Sequence, residues 1–161
     1  VGIVYCYADL FDQGAGRWYL PEYCLETMLQ DNIIFVTALF RKADWELAGG
    51  FDESMKHGME DYDFWLSILE LDRTVVQIPE VLFHYRIKKV SRTSSFMDNP
   101  QAVKDTYRYI QLKHRALYIK YIDIFGVIMR NTLIEQKFEI DALRKGFLLF
   151  RLMQRFPKLN V

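Results

Sequence analysis

The spacing of apolar residues changes repeatedly along this 161-residue chain, and that change restricts the fold more than any other feature. Val1 to Tyr7 alternates β-branched and aromatic residues, the period of a strand. A loop is expected over residues 9–18, where Gly14 and Gly16 can adopt conformations that other residues resist. Pro21 suits the first position of a helix, with Tyr23, Leu25, Met28 and Leu29 as its apolar face. Ile33 to Phe40 reads as a buried strand leading into a short helix with Trp45 and Leu47, stopped at Gly49-Gly50. Glu60 to Leu71 has Phe64, Trp65, Ile68 and Leu69 at helical spacing, with acidic residues in the turn where the macrodipole favours them. Strands are predicted at Thr74–Ile78 and Val81–Ile87 around Pro79-Glu80, then a mobile basic loop over Lys88–Ser95. From Pro100 the pattern is helical, with breaks expected near Ile122–Gly126 and residue 135. Strands alternating with helices imply an α/β fold.

With 51% hydrophobic and 26% charged residues, the chain can bury a sizeable core. Its net charge of zero conceals an asymmetry: residues 1–80 carry 15 acidic and 5 basic side chains, and residues 81–161 carry 6 and 16. A basic second half suits phosphate groups or an anionic membrane surface, while the zero total argues against nucleic acid as a partner. Cys6 and Cys24 lack metal spacing and read as small buried hydrophobes of a reducing compartment, a disulfide being the other option. No apolar run reaches the roughly 20 residues needed to span a bilayer, and no signal peptide is recognisable. A cytoplasmic location is expected, with peripheral contact at the inner membrane face as a variant. The opening in mid-strand without methionine suggests a piece of a larger sheet.

Three segments between Thr37 and Thr93 carry chemistry. They are Arg41-x-x-x-Trp45-Glu46-x-x-Gly49-Gly50-Phe51-Asp52-Glu53, the Glu60-Asp61 pair opening an aromatic helix, and Tyr85-Arg86 followed by Ser91-x-Thr93. In this order they resemble family 2 glycosyltransferases of the GT-A fold. The resemblance implies a partial GT-A, Rossmann-like mixed sheet with flanking helices over residues 1–95, the acceptor side of the catalytic domain. A helical extension over 96–161 would follow. It also implies an inverting transfer of a sugar from a nucleotide diphosphate to the hydroxyl of a glycan or lipid-linked glycan, as in polysaccharide biosynthesis at the cell envelope.

In such a reaction Asp61 is the expected base. A sugar hydroxyl is a weak nucleophile and needs a carboxylate within hydrogen-bond reach, and a helix N-terminus is a rigid mount that favours its ionised form. Glu60 is assigned a supporting role. By resemblance Trp45, Gly49, Gly50 and Asp63 belong to the acceptor wall, and Arg86, Lys88, Lys89 and Arg92 to a loop closing over the donor diphosphate, where cations stabilise the leaving group. The family often carries a metal-binding histidine where this chain has Lys88. The divalent cation implied for the full enzyme, magnesium or manganese, would therefore take its ligands mainly outside this chain. The family's nucleotide-binding half and its Asp-x-Asp motif have no counterpart, so the chain alone should be inactive. No Gln-x-x-Arg-Trp follows the Glu-Asp pair, which argues against a processive synthase. His84 reads as a structural strand residue, and His57 and His114 carry no signal.

The tail from Pro100 to Phe156 bears Val103, Tyr107, Ile110, Leu117 and Tyr121, then Leu143, Phe147, Phe150 and Met153, interleaved with basic residues. Such amphipathic helices would pack on the catalytic part, form a homodimer interface, or lie on an anionic membrane. Two rival classes are weighed against the transferase. One is a non-catalytic carbohydrate- or partner-binding module. The other is a metal-dependent phosphohydrolase using Glu60, Asp61 and Asp63, which lacks supporting histidines or carboxylates at suitable spacing.

Overall fold

The computed structural model describes residues 1–155, with side chains through residue 146. It is a mixed α/β structure that divides into two compact units, Val1–Tyr121 and Ile122–Val161. The expected boundary at 95/96 is not where the units separate.

In the first unit, β1 (Ile3–Asp12) is the middle of a four-stranded mixed sheet. On one side it runs parallel to β4 (Val75–Ile87) from Ile3 opposite Val75 to Asp12 opposite Ile87. On the other it pairs antiparallel with β3 (Leu39–Phe40) at its start and β2 (Gly16–Trp18) at its end. The loop expected over residues 9–18 is thus largely strand. β1 continues through Asp12, and a turn with Asp12 at φ 74° and Gly16 at φ 87° returns the chain. Gly14 is required there, because a Cβ would come within 2.7 Å of Ile87 Cγ1.

β4 is also longer than predicted. Pro79-Glu80 does not split it, because register shifts on either side of Tyr7 absorb the extra residues where proline lacks a ladder donor. Conversely, the helix expected from Pro21 shrinks to a single turn, α1 (Leu25–Met28). The strand expected from Ile33 is restricted to β3, since Asn32 Oδ1 accepts the Ile34 amide at 3.1 Å and a turn closes between Phe35 and Ala38. Ile33, Ile34 and Phe35 are nevertheless buried.

Helix α2 (Lys42–Ala48) ends as predicted at Gly49, left-handed at φ 82°. Helix α3 (Glu60–Glu70) also matches, and buries Tyr62, Phe64, Trp65, Leu66, Ile68 and Leu69. Phe64 packs against Phe40 and Phe51 with ring centroids 4.9 and 4.6 Å apart, which joins β3, the segment after α2, and α3 in one aromatic core.

The basic loop after β4 is short. Ser91 caps α4 (Arg92–Met97), its hydroxyl accepting the Ser94 amide while Ser94 Oγ accepts the Ser91 amide. Asn99 caps α5 (Pro100–Lys113), with proline in the first turn as its fixed φ favours. Breaks fall at His114 and Tyr121, either side of α6 (Arg115–Lys120), the first at a position not predicted and the second at the edge of the one expected near Ile122. Ile110, His114, Leu117 and Tyr118 are buried, which makes α5 and α6 part of the first unit.

The second unit is one helix through the described residues, α7 (Ile122–Arg155). It passes Gly126 and residue 135 without interruption, an isolated glycine costing a helix only about 1 kcal/mol. Phe147, Phe150 and Met153 lie outside the residues whose side chains are described. No helix among the described residues is long and apolar enough to cross a membrane. Cys6 and Cys24 are free and half-buried.

Candidate functional site

Gly58 at φ 123° and Met59 at φ 69° turn the chain sharply into the first turn of α3, where three carboxylates emerge in different directions. Glu60 reaches α4: Arg92 Nη1 donates to Glu60 Oε1 at 2.7 Å, and Arg92 Nη2 to the Met55 and Lys56 carbonyls at 3.4 and 3.3 Å. Asp63, 1% exposed, faces α5. Its Oδ2 accepts from Lys113 Nζ at 2.8 Å, and its Oδ1 lies 3.1 Å from His114 Nε2. His114 is equally buried, and its Nδ1 stands 3.1 Å from Glu70 Oε2 but off the hydrogen-bonding axis.

Asp61 differs from both. Among the described residues it forms no ion pair, and its Oδ1 accepts the Tyr62 amide at 2.8 Å. Burial pushes its carboxyl above the ordinary aspartate range, Glu60 adds to the rise, and the Tyr62 amide and the Asn32 side chain pull against it. Desolvation thus outweighs the donors at the helix terminus.

Asp61 borders a cavity of about 330 Å³ with aromatic walls that include Trp18, Phe83, Tyr85, Phe96 and Tyr107. Trp18 is fixed between Phe35 and Tyr85, with ring centroids 4.8 and 4.6 Å away. The row Trp18, Ala8, Phe83 across β2, β1 and β4 places this indole on the cavity side of the sheet. A smaller hollow of about 200 Å³ lies beside Glu60, Asp61, His57 and Arg92. Beyond it a cleft of about 660 Å³ is walled by Tyr85, Arg86, Lys88, Val90, Ser91, Arg92 and Ser95. Tyr85 is a wall of both the cleft and the aromatic cavity, and Arg92 of both the cleft and the smaller hollow. A basic cleft thus adjoins an aromatic one, with Asp61 where they approach.

Of the site residues expected from sequence, the fold gathers Glu60, Asp61, Arg86, Lys88 and Arg92 around these adjoining spaces. Arg86 is already tied to Asp12 at 2.7 Å, and Arg92 to Glu60. Lys89 is exposed and outside these walls. Trp45, Gly49 and Gly50 are not among the residues bordering the cavities beside Asp61. The Trp45 ring lies against Gly50, at φ 78°, so closely that a Cβ there would come 3.0 Å from Cζ2. Asp63 is consumed by its own ion pairs. Asp52, beyond Gly50, likewise anchors α5, accepting from Lys113 Nζ at 2.8 Å and Tyr109 Oη at 2.7 Å. Lys113, Ser54 and Tyr109 hold its carboxyl well below the usual range.

Sequence reasoning missed Trp18 and His114. The first was hidden by reading the β1–β2 hairpin as loop, which Gly14 and Gly16 favour in the sequence. Nothing local marks the second, whose carboxylate partners lie on α3. Among the described residues no group of three or more His, Cys, Asp or Glu side chains stands where it could hold a metal ion, and the cleft presents cations. The residues present do not fit the divalent cation that the resemblance implies. Comparison with family models, with curated proteins and with solved structures returned no match.

Proposed function

We propose that this chain forms the acceptor side of an inverting glycosyltransferase of the GT-A, Rossmann-like type, with Asp61 as general base. The observation that carries this reading is the isolation of Asp61. In a helix turn where Glu60 and Asp63 each have a basic side chain as partner, Asp61 has none among the described residues and faces an aromatic cavity next to a basic cleft. A half-buried carboxylate without a counter-charge costs stability, and an elevated pKa strengthens it as a base.

In the proposed reaction the acceptor hydroxyl, hydrogen-bonded to Asp61, attacks the anomeric carbon of the donor sugar from the face opposite the leaving group. The new C–O bond forms as the bond to the diphosphate breaks, and the hydroxyl proton passes to Asp61. The departing diphosphate gains negative charge, which Lys88, Arg86 and Arg92 are disposed to stabilise. Glu60 positions Arg92 between the two spaces and is a positioning residue. The donor nucleotide sugar, a glycan or lipid-linked acceptor, and a peripheral membrane or homodimer contact through the helical tail belong to this same reading, as does a cytoplasmic location.

The test is Asp61→Asn in the full-length protein, assayed for sugar transfer and, separately, for nucleotide-sugar binding. Loss of a general base should lower transfer by roughly 10²–10⁴ with donor affinity nearly unchanged. Transfer at the wild-type rate would remove Asp61 from the chemistry, and a full-length protein without any nucleotide-sugar binding would favour a non-catalytic binding module.

A further inference from the structure

The aromatic cavity beside Asp61 does not end at Trp18. A second hollow of about 400 Å³ adjoins it at the sheet edge formed by β2, lined by Tyr7, Arg17, Trp18, Tyr19 and Leu20. Trp18 and Leu20 are walls of both spaces. We propose that this hollow is a second acceptor subsite, which holds the neighbouring sugar ring of a neutral oligosaccharide while the reacting ring lies against Asp61. The proposal rests on the transferase reading for the identity of the ligand as an acceptor.

Three observations carry it. Trp18 and Leu20, walls of both, make the two spaces neighbours around the β2 edge of the sheet, as consecutive units of one chain require. Trp18 is already immobilised by Phe35 and Tyr85, so a ligand that contacts it requires little further ordering. The electrostatics of the hollow are balanced: Arg17 Nε lies 3.0 Å from Asp9 Oδ1, and the guanidinium sits 5.3 Å from the centre of the Tyr7 ring. Its only cation is therefore matched, which disfavours an anionic ligand and leaves N–H and phenol groups for hydroxyls. Tyr19, 88% exposed, completes the site with a ring that the protein core does not use. A polyhydroxylated ring has apolar C–H faces for Trp18 and Tyr19 and hydroxyl edges for Arg17 and the tyrosines, a combination that neither a lipid chain nor a phosphate provides.

The experiment measures binding of neutral gluco-, galacto- and N-acetylglucosamine oligosaccharides of one, two and four rings to the full-length protein, by calorimetry and ligand-observed NMR. In at least one series Kd should fall about tenfold or more from one ring to two, the scale of one good aromatic contact. Tyr19→Ala, at a position too exposed to disturb folding, should return the two-ring Kd to that of one ring. Asp61→Asn should keep the gain. A Kd independent of length, a gain that survives Tyr19→Ala, or no binding by any member overturns the second subsite. These failures are separable from failure of the transferase reading. If transfer depends on Asp61 but length has no effect, only the subsite is lost. If transfer ignores Asp61 while the gain still depends on Tyr19, the hollow is a carbohydrate site and the assigned chemistry is wrong.

Discussion

Asp61 and Asp63 stand two residues apart on one helix, yet their surroundings are opposites. Asp63 is enclosed by Lys113 and His114 and ties α3 to the junction of α5 and α6. Asp61 is only half-buried, and it borders a cavity and pairs with no cation among the described residues. The contrast separates a charge that is paired within the fold from one that is not. Composition and helical spacing treat the two alike. Only the partners distinguish them.

The largest effect expected from that contrast is on the Asp63 side. Asp63→Ala leaves the His114 ring buried without its carboxylate and should cost about 3–5 kcal/mol in urea unfolding. A loss under about 0.5 kcal/mol would mean the two aspartates are not as different as their partners suggest.

Acid and alkali should then act on the two sides in opposite directions. Asp52, beside Lys113, has a depressed pKa, so its contribution to stability is present above the unfolded aspartate value of about 3.9 and fades as pH falls through the folded one. Asp61 has a raised pKa, so its contribution is full below about 3.9 and is lost as pH rises through the folded value. Thermal midpoints of wild type and Asp61→Asn should therefore lie closest in acid and separate toward neutral pH, with the variant more stable. Parallel curves would show that Asp61 ionises as freely as in an unfolded chain. The acid limb of transfer should likewise lie above the usual aspartate range.

The smallest change is expected at Glu60. Its pair with Arg92 is largely exposed, and Glu60→Gln should cost only about 0.2–1 kcal/mol. Because Arg92 also borders the basic cleft, the same variant should alter donor affinity more visibly than stability, which titration with the nucleotide sugar would detect.

What could be read from the sequence follows from how local its causes are. Helices α2 and α3 were legible because apolar spacing, an acidic first turn and Gly49 specify them within a dozen residues. The position of Glu60 and Asp61 at a helix start was legible for the same reason. β4 was misread because proline ends most strands, and only pairing with β1 shows that a bulge accommodates it. The ion pairs of Asp63 were not legible because its partners Lys113 and His114 lie about 50 residues downstream. The placement of α5 and α6 with the first unit depended on the same distant contacts.

Three residues of its first turn also bolt α3 from three directions: Glu60 to Arg92, Tyr62 through its hydroxyl to the Met28 carbonyl at 2.8 Å, and Asp63 to Lys113. A shaft pinned at three angles can neither roll nor slide, so the aim of Asp61 is set before anything enters the cavity. Change in what the cavity accepts must then come from its opposite side, the β1–β2 hairpin, whose tip residues Gln13 and Ala15 are exposed and support no core. Evolution could lengthen, shorten or recolour that hairpin at little hazard, trying new ligands against a fixed point that it never has to realign.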